Sequence, residues 1–178
     1  MPYAIELALD AAAAAAIRRL WGELEAVGIT YMARSGARPH VSLGIWETLD
    51  RAAFEAELAA FATETAPLPI TFASVGLFPS VAVFLAPTPT SALLDLHVGF
   101  HRRLGQHGEA PWDHYRPGVW VPHCTLAMDL ANDQFGTALE IARRAPLPLE
   151  CLLVEVGIVE FRPVKHLFSY HLDGRQHA

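Results

Sequence analysis

Two hydrophobic periods alternate along this chain. Tyr3-Ala4-Ile5-Glu6-Leu7-Ala8-Leu9 and Val81-Ala82-Val83-Phe84-Leu85 are short, mainly apolar runs that read as strands. Between such runs lie stretches with helical spacing, near Asp10 to Ala26, Asp50 to Thr65, Ser91 to Leu104 and Asn132 to Arg144. Ala53, Phe54, Leu58 and Phe61 mark the apolar stripe of the second; Phe135, Leu139 and Ala142 mark that of the fourth. Prolines then stop the helix and set up extended segments, Ile70 to Phe78 and Leu149 to Phe161. A last strand, Lys165 to Leu172, is expected to form a hairpin with the latter across Arg162-Pro163.

The pattern is written twice. Pro39-His40-Val41-Ser42-Leu43 returns as Pro122-His123-Cys124-Thr125-Leu126, and each is followed by a polar break and a helix. Ala66-Pro67-Leu68-Pro69-Ile70 returns as Ala145-Pro146-Leu147-Pro148-Leu149. Both extended segments contain a Val-Gly pair, Val75-Gly76 and Val156-Gly157. Each half reads strand, helix, strand, helix, strand, over approximately 3–78 and 81–161, with the final strand at 165–172. The length fits one domain, spanning 1–178. Gly105 to Val119 has no counterpart in the first half and reads as a long loop, a kind of segment that is often functional.

Composition narrows the function classes. The hydrophobic share is 52% and the charged share 18%, which is globular rather than disordered. A net charge of -6 argues against the basic footprint that binding duplex DNA requires, while leaving room for a small pocket that takes one nucleotide or a strand end. Cys124 and Cys151 make no disulfide framework and read as buried free thiols. No basic segment precedes an apolar stretch at the N-terminus, and the alanine run Ala11 to Ala16 is too short to span a bilayer. A cytoplasmic monomer without membrane attachment is the expectation.

The candidate chemistry sits in the repeated motif. Residues i and i+2 of a strand face the same way, so His40 shares a face with Ser42, and His123 with Thr125. Val41, Leu43, Cys124 and Leu126 point to the other side. If the halves are related by a pseudo-two-fold axis, the two pairs meet across a central cleft. One neutral histidine then takes a proton from water, and the other, protonated, gives one to the departing alkoxide. Ser42 and Thr125 hydrogen-bond the non-bridging phosphate oxygens. No metal is needed for this chemistry.

The two motifs, His40-Val41-Ser42-Leu43 and His123-Cys124-Thr125-Leu126, resemble those of the two-histidine (2H) phosphoesterase superfamily, which includes the bacterial 2′–5′ RNA ligase-like proteins. The resemblance runs from Tyr3 to Leu172. It implies an α+β fold, a bilobal pseudo-two-fold duplication in which each lobe is an antiparallel-type sheet with helices on its outer face, around a central cleft. It also implies metal-independent cleavage of 2′,3′-cyclic or related cyclic nucleotide phosphates, or of RNA ends, with the phosphate usually kept on the 2′ oxygen. Some members also join or cleave 2′–5′ RNA linkages. The chain departs from the ligase-type pattern at Met128, where an arginine is common, and that weakens the ligase expectation. The second reading, from another class, is a non-catalytic nucleotide- or RNA-binding module using the same cleft.

Other residues are candidates for substrate contact. Arg38, two before His40, shares its face if the strand extends that far; it binds phosphate or makes a rim salt bridge. Trp112, Tyr115 and Trp120 flank the second motif and are placed to stack a base, or to cover a loop. His114, in the same loop, and Arg162 and Lys165, around the last hairpin turn, complete the set. His97 and His101 have the i, i+4 spacing of a zinc pair but no third ligand, so no metal and no cofactor are expected.

Overall fold

The computed structural model describes residues 1–175. Strand β1 (Tyr3–Leu9) leads into helix α1 (Ala11–Ala26). Asp10 caps that helix by accepting from the Ala12 and Ala13 amides, both at 3.0 Å. A short helix α2 (Tyr31–Arg34) precedes β2 (His40–Leu49) and α3 (Arg51–Glu64), which Asp50 caps through the Ala53 amide. Then come β3 (Leu68–Phe78), β4 (Ala82–Pro87) and α4 (Ser91–Leu104), the last capped by Thr90. The chain closes with β5 (Gly108–Pro111), β6 (Cys124–Met128), α5 (Gln134–Ala142), β7 (Leu149–Glu160) and β8 (Lys165–His171).

All strand pairs are antiparallel, in the order β5-β2-β1-β7-β3-β4-β6, with β8 also on β7. The two sheets expected from the sequence are joined into one, because β7 is long enough to serve both sides. Its first residues pair with β3 through Leu153, and the rest pair with β1 and β8. The order around this junction is symmetric: a motif strand, a first strand and a last strand on each side, β2-β1-β7 facing β6-β4-β3. Each motif strand thus sits beside the first strand of its own half and shares a sheet region with the last strand of the other.

Helix-facing positions carry the core. Ile5, Leu7, Val41 and Leu43 are fully buried there with Leu85 and Phe54, as are Cys124 and Leu126 to within 1%. The opposite face holds a smaller apolar group, Ala4, Ile45 and Val159. α3 buries Phe54, Leu58 and Phe61 as the periodicity predicts, whereas the nine-residue α5 buries Ala138, Ile141 and Ala142 and leaves Phe135 and Leu139 at the margin.

The segment 105–119 is more ordered than the long loop expected. Gly108–Pro111 pairs with the outer edge of β2, Trp46 opposite Pro111 and Thr48 opposite Glu109. An unpaired edge on a ten-residue strand exposes a row of backbone donors and acceptors, and a short strand ending in proline covers it. Its partner edge lies far away in sequence, which local pattern does not register.

Candidate active site

The two motif histidines are held by the same backbone device. His40 Nδ1–H donates to the Arg38 carbonyl at 2.6 Å, and His123 Nδ1–H donates to the Val121 carbonyl at 2.7 Å. Each bond selects the tautomer that leaves Nε2 available. His40, Ser42, His123 and Thr125 all line one cavity of about 550 Å³. The structure thus brings the whole quartet to a single space.

A β-bulge in each motif shapes that space. Glu6 and Ile5 pair with Ser42 and Gly44, so Leu43 is left out of the register; Phe84 and Val83 pair with Thr125 and Ala127, so Leu126 is left out. An extra residue reverses the alternation of faces beyond it. Ile45 and Met128, three residues after the hydroxyls, therefore line the cavity too, where simple alternation would have turned them away.

Behind the strands, buried donors satisfy the backbone of both motifs. Trp120 Nε1–H donates to the Ser42 carbonyl at 3.0 Å, and Trp21 Nε1–H donates to the Thr125 carbonyl at 3.1 Å. The carbonyl of bulged Leu43 accepts from His97 Nε2–H at 3.0 Å and His101 Nε2–H at 2.9 Å. Burial, with the neighbouring His101 adding to it, pushes His97 down to about 4, and burial lowers His101 as well. The zinc-like spacing therefore serves a backbone carbonyl. Among the described residues, no group of three or more His, Cys, Asp or Glu is placed to hold a metal ion.

The immediate surroundings of the two rings differ. His40 Nε2 lies 3.6 Å from Glu6 Oε1, and that carboxylate is buried in the cavity wall with a side chain 3% exposed. Arg38 Nε meets Glu6 at 3.4 Å, and Arg38 Nη1 pairs with Glu155. Gly157 leaves room for this guanidinium: a Cβ there would come within 2.7 Å of Arg38 Nη2. His123 instead sits among aromatic rings, with Phe78 edge-on at 5.0 Å and Phe84 at 5.2 Å. Gly76 makes the corresponding room, since a Cβ there would come within 2.4 Å of the Phe84 ring. Burial lowers the pKa of His123, the neighbouring His40 acts in the same direction, and the bond to Val121 opposes both.

The remaining candidates divide. Tyr115 lines the cavity; burial pushes its phenol up to about 12, with the Ser42 side chain opposing, so it stays protonated. Trp112, His114 and Arg162 also line the cavity. Three of the expected substrate contacts lie elsewhere. Arg38 does not line the cavity, because its guanidinium is committed to Glu6 and Glu155, beside a second, smaller depression near Phe168 and Ser169. Trp120 stacks flat on His97 at 3.9 Å, buried behind β2, because an indole in a core needs a partner for its single donor. Lys165 lies 3.9 Å from Glu160, also outside the cavity. Cys124 faces the core, where burial lifts its thiol to about 12. Sequence reasoning missed Glu6, Trp21, Phe78 and Phe84. Glu6 had a signal, as the one charge in an apolar strand; the others looked like ordinary core.

No curated protein matches the chain. TT0787 of Thermus thermophilus is 18% identical, with a TM-score of 0.63 over 99% of this chain and 100% of that one. E. coli LigT complexed with 3′-AMP is 19% identical, with a TM-score of 0.60 over 97% of this chain and 99% of that one. These two share the fold. The sequence profile of the 2′-5′ RNA ligase superfamily matches residues 9–164, which include both motifs, and the chain belongs to that family of 2H phosphoesterases.

Proposed function

We propose that this protein is a metal-independent phosphoesterase that opens 2′,3′-cyclic phosphates on nucleotides or RNA ends by acid–base catalysis between His40 and His123. The observation that carries the reading is the convergence of two imidazoles, each anchored through Nδ1, with two hydroxyls on one cavity. His123, which burial favours in the neutral form, accepts a proton at Nε2 from the water whose oxygen attacks phosphorus. His40 faces a carboxylate that gives an imidazolium a counter-charge, and it donates the proton to the departing ribose oxygen as its bond to phosphorus breaks. Ser42 and Thr125 donate to the non-bridging oxygens, where charge accumulates. An alcohol in place of water would run the same steps toward a 2′–5′ linkage. That E. coli LigT has been crystallised with 3′-AMP and with phosphate agrees with a ligand of this class.

The test is hydrolysis of 2′,3′-cyclic nucleotides in excess chelator. Turnover should persist, and His40→Ala and His123→Ala should each lower kcat/KM by roughly 10²- to 10⁴-fold. Abolition by chelator, or undiminished turnover in either variant, would refute the reading. Binding without turnover in the wild type would favour the non-catalytic module.

A further inference from the structure

The quartet occupies only part of the cavity, and most of the rest is apolar. Ile45 and Met128 face it from the two bulged strands; Phe78 and Val81 line one side, Trp112 and Phe161 another. Trp112 and Phe161 meet edge to face at 5.8 Å, and the indole is fixed by donation to Glu47 at 2.7 Å. The mouth is apolar as well: Val81, Val119 and Val121 line the cavity and are 52%, 61% and 46% exposed. Exposed apolar side chains gathered at a cavity mouth mark a contact surface for apolar matter.

Charge is scarce there. Among the described residues, Glu6 is the sole carboxylate lining the cavity and Arg162 the sole guanidinium or ammonium. Arg38 is already committed to Glu6 and Glu155, whereas no ion pair or hydrogen bond is recorded for the Arg162 side chain among the described residues. Arg162 also has a φ of +68°, a left-handed backbone that costs energy in a non-glycine residue and tends to persist where function holds it.

Resting on the phosphoesterase reading above, we propose that the cavity selects a small cyclic phosphodiester with one negative charge and an uncharged apolar or aromatic body, such as a single nucleoside, over an oligonucleotide end, and that Arg162 is the cation that meets its phosphate. One phosphate finds Arg162, the hydroxyls and a histidine. A second or third would lie against Val81, Val119 and Val121, where nothing replaces the water it loses. Tracking a strand requires a cationic groove with stacking platforms; this cavity supplies the aromatics without the cations. Its volume, about 550 Å³, falls in the ordinary range for small-molecule sites. Ring opening also raises the charge of the phosphate from one toward two near neutral pH. Glu6 faces that added charge from the cavity wall, which favours release.

The experiment ranks three probes by kcat/KM and by competitive binding. They are a nucleoside 2′,3′-cyclic monophosphate, the same compound carrying a 5′-phosphate, and a trinucleotide ending in a 2′,3′-cyclic phosphate. Efficiency should fall in that order, by about tenfold or more from first to last. Arg162→Asn, chosen because asparagine tolerates the left-handed backbone, should lower kcat/KM for the first probe by about 10- to 100-fold, mainly through KM, with Arg162→Lys restoring part of it. Met128→Arg should narrow the gap to the trinucleotide. A trinucleotide handled as well as the mononucleotide, or an Arg162→Asn protein with unchanged KM, overturns the proposal. If the wild type turns over none of the probes, the phosphoesterase reading falls, and the affinity ranking alone then decides whether the selectivity stands.

Discussion

His40 and His123 share a backbone and differ in company. Each Nδ1–H is tied to the carbonyl two residues earlier, each strand bulges at the fourth motif residue, and each hydroxyl residue gives its carbonyl to a buried indole. Even the Val-Gly pairs act alike, making room for the group that backs the ring, Arg38 through Gly157 and Phe84 through Gly76. Yet His40 stands against the buried Glu6 and, through it, the half-buried Arg38 and Glu155, and His123 against Phe78 and Phe84. Backbone geometry decides where each ring points; neighbouring side chains decide what its Nε2 meets. Acid and base roles can diverge in this way without any change to the frame.

The largest expected effect tests the charged side of this contrast. Arg38→Leu leaves Glu6, 3% exposed, without its cation, and should cost about 3–5 kcal/mol in chemical denaturation. Phe84→Leu, on the aromatic side, keeps an apolar group of similar size and should cost less than about 1.5 kcal/mol. Equal losses would remove charge as the distinguishing feature.

Next comes pH. His97, which supports the strand of His40, lies at about 4 when folded and near the ordinary value of about 6.5 when unfolded. The unfolded chain therefore binds more protons between those values. Stability from this group is complete above about pH 6.5 and is lost as pH falls toward 4, by on the order of 3 kcal/mol. Urea melts at pH 7 and pH 4.5 should show the loss, and His97→Phe should flatten it. An acid dependence as steep in the variant would locate the effect elsewhere.

The smallest effect probes what the halves share. Trp21→Phe and Trp120→Phe each leave a backbone carbonyl without its indole donor and should each cost about 1–3 kcal/mol. Thermal melts of the two variants should fall close together. A clear disparity would show that the indoles are not equivalent supports.

Much of this frame was legible along the chain. β1 and α4 run as the hydrophobic pattern predicts, the other predicted elements differ by a few residues at their ends, and the repeated motif named all four quartet residues. Arg38 was open between a phosphate contact and a salt bridge, and Trp120 between stacking a base and covering a loop; only three-dimensional neighbours, Glu6 and Glu155 for one and His97 for the other, decide between them. β5 was not anticipated because its partner edge, β2, lies far off in sequence.

The sequence by itself determined the element order, the apolar faces and the repeated motif that supplies the quartet, because period, repetition and proline stops are local properties. Tertiary structure decided which residues share the cavity. The bulges at Leu43 and Leu126 turn Ile45 and Met128 inward, and the pairing of β1 with β2 brings Glu6 to His40. Such outcomes depend on register and on contacts between distant segments, and one-dimensional spacing carries neither.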